Sequence, residues 1–253
     1  MSVSAEGRRN ESGIAEGFRL LVPALLIALL IRSLLFEAFN IPSGSMKGTL
    51  LVGDYLFVSK YSYGYSHYSL PYSPRLFSGR IFGAMPKRGD VVVFRLPRND
   101  SIDYIKRVIG LPGDRIKVVD GLIFINGTAV KRERVNDFID DEGAVSTPVR
   151  RWRETLPNGV TYQTLDLQHN GSVENTPEYQ VPPGHYFMMG DNRDNSADSR
   201  VPEHSGGVGY VPFENLVGKA RIIFFSIGDG VSAWHFWDWP WSVRWSRLFT
   251  IVR

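Results

Sequence analysis

The chain opens on a polar stretch and changes character near residue 18. An apolar run extends without interruption from position 20 to position 31, and Leu34, Leu35 and Phe36 follow a single Arg32. Counted from 18 to 36, the segment makes roughly 28 Å of helix at about 1.5 Å per residue, enough to cross a hydrocarbon core. Arg32 lies near one end, where its guanidinium can snorkel toward headgroups. The strict apolar run is short enough to resemble a cleavable secretory signal, and a buried helix is a further alternative. No small-x-small site follows, however, since the chain continues Glu37, Ala38, Phe39, Asn40, Ile41, Pro42. The pattern therefore predicts an uncleaved anchor over 18–38. Arg8, Arg9 and Arg19 precede the uninterrupted apolar run and favour a cytoplasmic tail over 1–17, with everything beyond the anchor on the other face.

Past the anchor the period shortens. Segments 55–60, 90–96, 104–110, 115–119, 122–126, 185–190 and 217–227 are short, rich in Val, Ile, Phe and Tyr, and bounded by Gly or Pro. They predict strands, and no later segment carries a helical stripe, so the expected class is mostly β: an N-terminal transmembrane helix and an all-β body. Asp120-Gly121, between two apolar runs, predicts a type I′ hairpin turn. Residues 131–180 are charged and poor in aliphatics, which predicts a smaller lobe inserted between two parts of the body, 39–130 and 181–228. Residues 61–78, dense in Tyr, Ser and Pro, predict a long extended loop. In the tail, 229–253, five of the six tryptophans crowd between Trp234 and Trp245. They suit either a hydrophobic tail packed on the body or a segment lying at a bilayer surface.

Composition narrows the chemistry. A formal charge of +3 over 253 residues gives no support for nucleic-acid binding. With no cysteine there is no disulfide, no thiolate zinc site and no cysteine nucleophile. Three stretches stand out. The first, at 41–51, sets Ser43 and Ser45 in a glycine-containing turn after Ile41-Pro42; alone, this is as readily a linker. The second, at 103–114, sets Lys106 in an apolar strand with Arg107 facing the opposite side. A covered lysine loses hydration and its pKa falls, as a base working near neutral pH requires, whereas an edge lysine would be ordinary. The third, at 190–200, is a dense run of turn-forming and charged residues. A calcium loop fails there on spacing, because Pro202 falls where the bidentate glutamate belongs. The five histidines sit in no motif that suggests a triad.

In this order, and after an N-terminal span, the three stretches resemble the defining boxes of bacterial type I signal peptidases. The likeness extends to Gly53-Asp54-Tyr55, 87–90 and 211–220. It implies a membrane-bound serine endopeptidase that removes signal peptides from secretory preproteins after Ala-x-Ala-like sites, at the bacterial inner membrane, with its catalytic body on the extracytoplasmic face. By that resemblance Ser45 is the nucleophile, Lys106 the general base and Ser43 an oxyanion donor. Ser196 orients the lysine, and Asp198 with Arg200 braces the site. Phe39, Ile41, Met46, Leu50, Tyr104 and Ile105 would line the substrate pockets. The expected partners are preproteins and membrane lipid, with no cofactor, no metal and no nucleic acid. Gly48 departs from the pattern, standing where the family usually has proline, and is expected to loosen the nucleophile loop. Extra sequence at 201–210 lengthens the connection beside the site. The rivals are a self-cleaving repressor-type Ser–Lys protease, which lacks an anchor, and a tethered β scaffold that binds exported peptides without cutting them.

Overall fold

The computed structural model describes residues 7–140, 146–167, 171, 173–228, 231 and 237–253. Helix α1 covers Gly7–Leu34. Its apolar residues Leu20, Leu21, Leu25 and Leu26 are all exposed, so nothing among the described residues covers this surface. The helix stops at Leu34, short of the 38 expected for the apolar segment. Phe36–Asn40 is instead strand β1, whose backbone pairs with Asp54–Ser59, strand β2. Apolar content continues through the junction, so composition alone does not mark the change from helix to strand.

The remaining strands are β3 (Val91–Leu96), β4 (Asn99–Gly110), β5 (Arg115–Val119), β6 (Leu122–Ile125), β7 (Thr128–Ala129), β8 (Lys131–Asp140), β9 (Thr147–Thr155), β10 (Thr161–Asp166), β11 (Tyr179–Gln180), β12 (His185–Met189), β13 (Val211–Pro212), β14 (Leu216–Ser226) and β15 (Thr250–Ile251). The main sheet runs β1-β2-β14-β3-β4-β12-β13, with β15 also on β14; β10-β9-β8 and β11-β5-β6-β7 form two smaller sheets. The expected strands fall on β2, β3, β4, β5, β6, β12 and β14. β4 starts five residues before its expected beginning, because Asn99–Asp103 is exposed and carries a single apolar residue, Ile102, among four polar ones. At the β5–β6 turn Asp120 and Gly121 have φ of 48° and 73°, the two positive angles that a type I′ turn needs.

One core cluster lies inside the main sheet and includes Ile41, Met46, Leu50, Leu56, Val58, Val93, Ile105 and Ile223. A second joins β4 and β12 to the smaller sheets through Ile109, Ile116, Ile123, Phe187, Leu156 and Tyr162. The three strands β8 to β10 gave no strand signal because cations and aromatics hold them where aliphatics usually would. Arg132 and Arg134 stack on Trp152 at 4.2 and 5.5 Å, and Arg132 and Arg150 both pair with Asp166. Residues 61–78 are not the extended loop expected. Tyr63, His67, Tyr68 and Ser69 are buried, the last three in a single 3-10 turn, so the tyrosines that suggested an open loop are packing residues. The segment at 201–210 is likewise tied down: Val208 is fully buried and its N–H donates to the Asp198 carbonyl at 3.2 Å.

Candidate active site

Beyond β1 the chain turns through Ile41-Pro42 into a single 3-10 turn, Gly44–Met46. Met46 and Leu50 are fully buried in the inner core and pin the turn from below. From the side, Asn192 holds it twice: its N–H donates to the Ser45 carbonyl at 3.1 Å and its Nδ2 to the Gly44 carbonyl at 3.0 Å. Lys106 comes from β4. Its Nζ donates to Ser45 Oγ at 2.7 Å and to the Ile105 carbonyl at 2.9 Å. The ammonium carbon stem is covered on all sides, and burial lowers the Lys106 pKa to about 8, against the opposing pull of Asp198 and Asp191. An amine with that pKa is partly neutral near physiological pH and able to accept the Ser45 proton. Ser43 Oγ lies 3.4 Å from Ser45 Oγ.

The third stretch packs behind this pair. Asp198 is fully buried and receives both Arg200 Nε, at 2.9 Å, and Nη2, at 2.8 Å, together with the Gly190 N–H at 3.0 Å. Burial by itself would raise its pKa, but Arg200 outweighs that and holds it below the usual carboxylate range. Ser196 departs from expectation. Its Oγ is buried beside Gly190 on the Asp198 side of the site and makes no hydrogen bond to Lys106 in this structure. A glycine is needed at 190, since a Cβ there would stand 2.2 Å from Ser196 Oγ and 2.6 Å from the Ser45 carbonyl.

Alternation along β4 gave Lys106 and Arg107 opposite faces, and a single exposed side would be ordinary. Here both are buried, because β10 covers the far face. Arg107 is fully buried, stacks 4.1 Å over the Tyr162 ring and binds Asp191 through Nε at 2.8 Å and Nη2 at 2.7 Å. Thr49, just past the nucleophile turn, donates to the same carboxylate at 2.6 Å. Next to it, buried Arg193 makes a bidentate pair with Glu154, which also accepts from Tyr162 at 2.8 Å. Sequence reasoning gave no role to Arg107, Asp191, Asn192 or Arg193. The one available signal was a charge on each face of an apolar strand, which requires a buried partner if both faces are covered.

A cleft of about 390 Å³ opens onto Ser45 and Lys106. Phe39, Ile41, Tyr104 and Ile105 line it, joined by Val93, Ile102 and Ala197. Met46 and Leu50 do not line it; they point into the core beneath. Its two sides are formed by β1 and β4, which have three strands between them in the sheet, so the sheet curls to bring them face to face. Among the described residues β1 pairs only with β2, and β4 is unpaired on one side from Asn99 to Lys106, so the cleft lies between two open strand edges.

Gly48 has φ +109° and approaches the Gln163 carbonyl so closely that a Cβ would sit 3.0 Å from it. Proline holds φ near −65° and cannot adopt this turn. The glycine is therefore a different solution for the loop, with β10 packed against it. Gly48→Pro is expected to destabilise the chain by more than about 1 kcal/mol and to lower turnover. A urea midpoint equal to that of the parent would remove this account of the loop.

A serine presented between two open strand edges is suited to extended polypeptide, which is the working requirement of a serine peptidase. Comparison with known proteins specifies which kind. The profile of the family described as "Signal peptidase, peptidase S26" matches residues 14–225. Signal peptidase I of Rickettsia conorii is 50% identical over 210 residues, 80% of this chain and 76% of its own length. That of Rickettsia typhi is 42% identical over 269 aligned positions, covering 98% and 97%. A crystal structure of a signal peptidase I from Enterococcus faecalis V583 aligns at 27% identity over 54% of this chain and 97% of that one, with a TM-score of 0.32. The chain belongs to the signal peptidase S26 family. It is a membrane-anchored serine peptidase acting on signal peptides.

Proposed function

We propose that Ser45 is the nucleophile and Lys106 the general base of a peptidase that cuts preproteins after small-x-small sites. The observation that carries this is the 2.7 Å bond between Lys106 Nζ and Ser45 Oγ, in a site where burial keeps the amine pKa at about 8. The neutral amine takes the hydroxyl proton as Oγ attacks the scissile carbonyl. The Ser45 N–H and the Ser43 hydroxyl stabilise the oxyanion. Lys106, now protonated, gives its proton to the departing amine. It then deprotonates the water that hydrolyses the acyl-enzyme. Ser196 turns its hydroxyl to the lysine to orient it, and Asp198 with Arg200 braces the wall behind. No cofactor or metal enters this scheme.

The substrate lies extended between β1 and β4, and small side chains fill shallow pockets made by Phe39, Ile41, Tyr104, Ile105 and Ala197. The chain sits in the bacterial inner membrane with its body on the extracytoplasmic face. The tail lies on the bilayer. In support, an aromatic path runs from the end of α1 through Phe36 and Phe57 to Phe224, and through Tyr55 and Phe225 to Trp239. It ends beside Trp237, Trp241 and Trp245, which are exposed. Trp234 lies outside the described residues.

The test is cleavage of a purified secretory precursor in detergent, with the cut mapped, by the parent chain and by Ser45→Ala. A cut after a small-x-small sequence by the parent alone is expected. A precursor that is bound and left whole by both would make the chain a scaffold. The pH profile adds a second check. Only neutral Lys106 is active, so kcat/KM should rise about tenfold per pH unit below about 8 and level off above it. A flat profile from pH 6 to 9 would exclude the lysine as base.

A further inference from the structure

A single residue, Leu35, joins α1 to β1, and the joint is closed by four contacts. The Tyr65 hydroxyl donates to the Leu34 carbonyl at 2.9 Å, and the Lys60 backbone N–H donates to the Leu35 carbonyl at 3.0 Å. Glu37 stands between two cations. Arg32 Nη2, in the last turn of the helix, is 3.0 Å away on one side, and Lys60 Nζ is 2.9 Å away on the other. The Lys60 side chain is only 3% exposed and also donates to the Ser69 carbonyl at 2.7 Å, so the inner half of this relay is shielded from water and fixed in direction. Two residues after Glu37, Phe39 already lines the cleft. Between the helix and the wall of the cleft there is no slack.

We propose that Arg32, Glu37 and Lys60 form a strut that holds the cleft at a fixed distance from the bilayer. The strut thereby sets how many residues separate the apolar core of a signal from the bond that is cut. This rests on the peptidase reading above. From Leu34 to Phe39 is five residues, at about 3.3 Å each a span of at most about 17 Å. An extended substrate rises by the same amount per residue. A signal whose apolar core is embedded beside α1 therefore needs about five residues of spacer to reach the Phe39 wall of the cleft that opens onto Ser45. A tether too short for its span gives an effective concentration close to zero, and surplus length dilutes the end that must bind. A rigid mount accordingly makes the rate depend sharply on spacer length, while a loose mount lets the cleft move to meet the bond. The residues of the strut are positioning residues, acting on where the cleft is held and not on the chemistry inside it.

The experiment compares three full-length chains in proteoliposomes: the parent, one with Gly-Ser-Gly inserted between Leu34 and Leu35, and Arg32→Ala. The insertion leaves the Leu35 carbonyl in place for Lys60. Arg32→Ala removes an exposed arm and keeps the Lys60–Glu37 pair. Each is assayed on membrane-inserted precursors whose spacer is shortened or lengthened one residue at a time, and on a short soluble peptide with the same cut site. The parent should lose about tenfold or more in precursor rate when two residues are removed, the insertion chain less than about threefold, and Arg32→Ala an intermediate amount. The soluble peptide should be cut at one rate by all three. Spacer profiles that superimpose in all three chains would overturn the strut. So would a peptide rate that falls in both variants as far as the precursor rate, since the defect would then lie in the cleft. If the parent cuts neither substrate, the peptidase reading itself falls and takes the strut with it.

Discussion

Lys106→Met should abolish cleavage, with a loss of about 10⁴-fold or more, and should yield a protein more stable than the parent below pH 8. The first half follows from the 2.7 Å bond to Ser45 Oγ: with no base, the hydroxyl keeps its proton. The second follows from linkage. In the unfolded chain the amine has an ordinary lysine pKa near 10.5, and in the folded chain burial lowers it to about 8. Between those values the unfolded state binds more protons, so stability rises with pH from about 8 to about 10.5. Below 8 the folded chain carries the whole penalty of a charge held out of water. Methionine fills a similar volume without that charge. After allowing for the lost bond to the Ile105 carbonyl, the gain should be about 1–3 kcal/mol near pH 6.5. Urea denaturation at pH 6.5 and at pH 10 checks it. Near-normal turnover would end the role of Lys106 as base, and equal stability at pH 6.5 would mean that the folded lysine is not depressed.

The largest loss of stability is expected behind the site. Asp191→Ala leaves Arg107 fully buried with its charge uncompensated, and strips Thr49 of its acceptor. Breaking a buried pair by removing one partner costs about 3–5 kcal/mol. The exposed pair Arg75–Asp100, by contrast, should contribute at most about 1 kcal/mol. Activity should fall with stability at Asp191, because the next residue, Asn192, holds the Ser45 turn by two hydrogen bonds. The double variant Arg107→Met with Asp191→Leu removes both charges and should recover much of the loss. A single Asp191→Ala chain as stable as the parent in urea would show that Arg107 is satisfied by its other acceptors.

The parts of this molecule legible in the sequence are those whose signal is local. The aliphatic runs of β3, β5, β6 and β14 alternate or cluster in the ordinary way, and Asp120-Gly121 marks its turn by chemistry that needs only two residues. Ser45 and Lys106 were singled out by resemblance, and alternation put Lys106 and Arg107 on opposite faces without telling which face is covered. What was not legible depends on partners far along the chain. Arg107 meets Asp191 from 84 positions away. The strands β8 to β10 stack guanidinium planes on Trp152, which composition registers as polar surface. Met46 and Leu50 are apolar and adjacent to the nucleophile, and nothing in their neighbours tells whether they face the cleft or the core beneath it. At Gly48 the residue type announces conformational freedom, but the +109° angle and the packing against Gln163 come from β10.

The unpaired side of β4 has a consequence for how copies of this protein behave together. A row of free N–H and C=O groups that can receive a substrate strand can also receive the same edge of another molecule, and such edges are where soluble β proteins begin to aggregate. At this edge the exposed half of the strand carries Asp100 and Asp103. Two molecules meeting edge to edge would have to desolvate those carboxylates together with the Arg75 and Arg95 that pair with them, a cost that a narrow uncharged visitor avoids. The same two residues would thus act as a guard against self-association, and detergent preparations in which both are made neutral should be the first to precipitate on concentration.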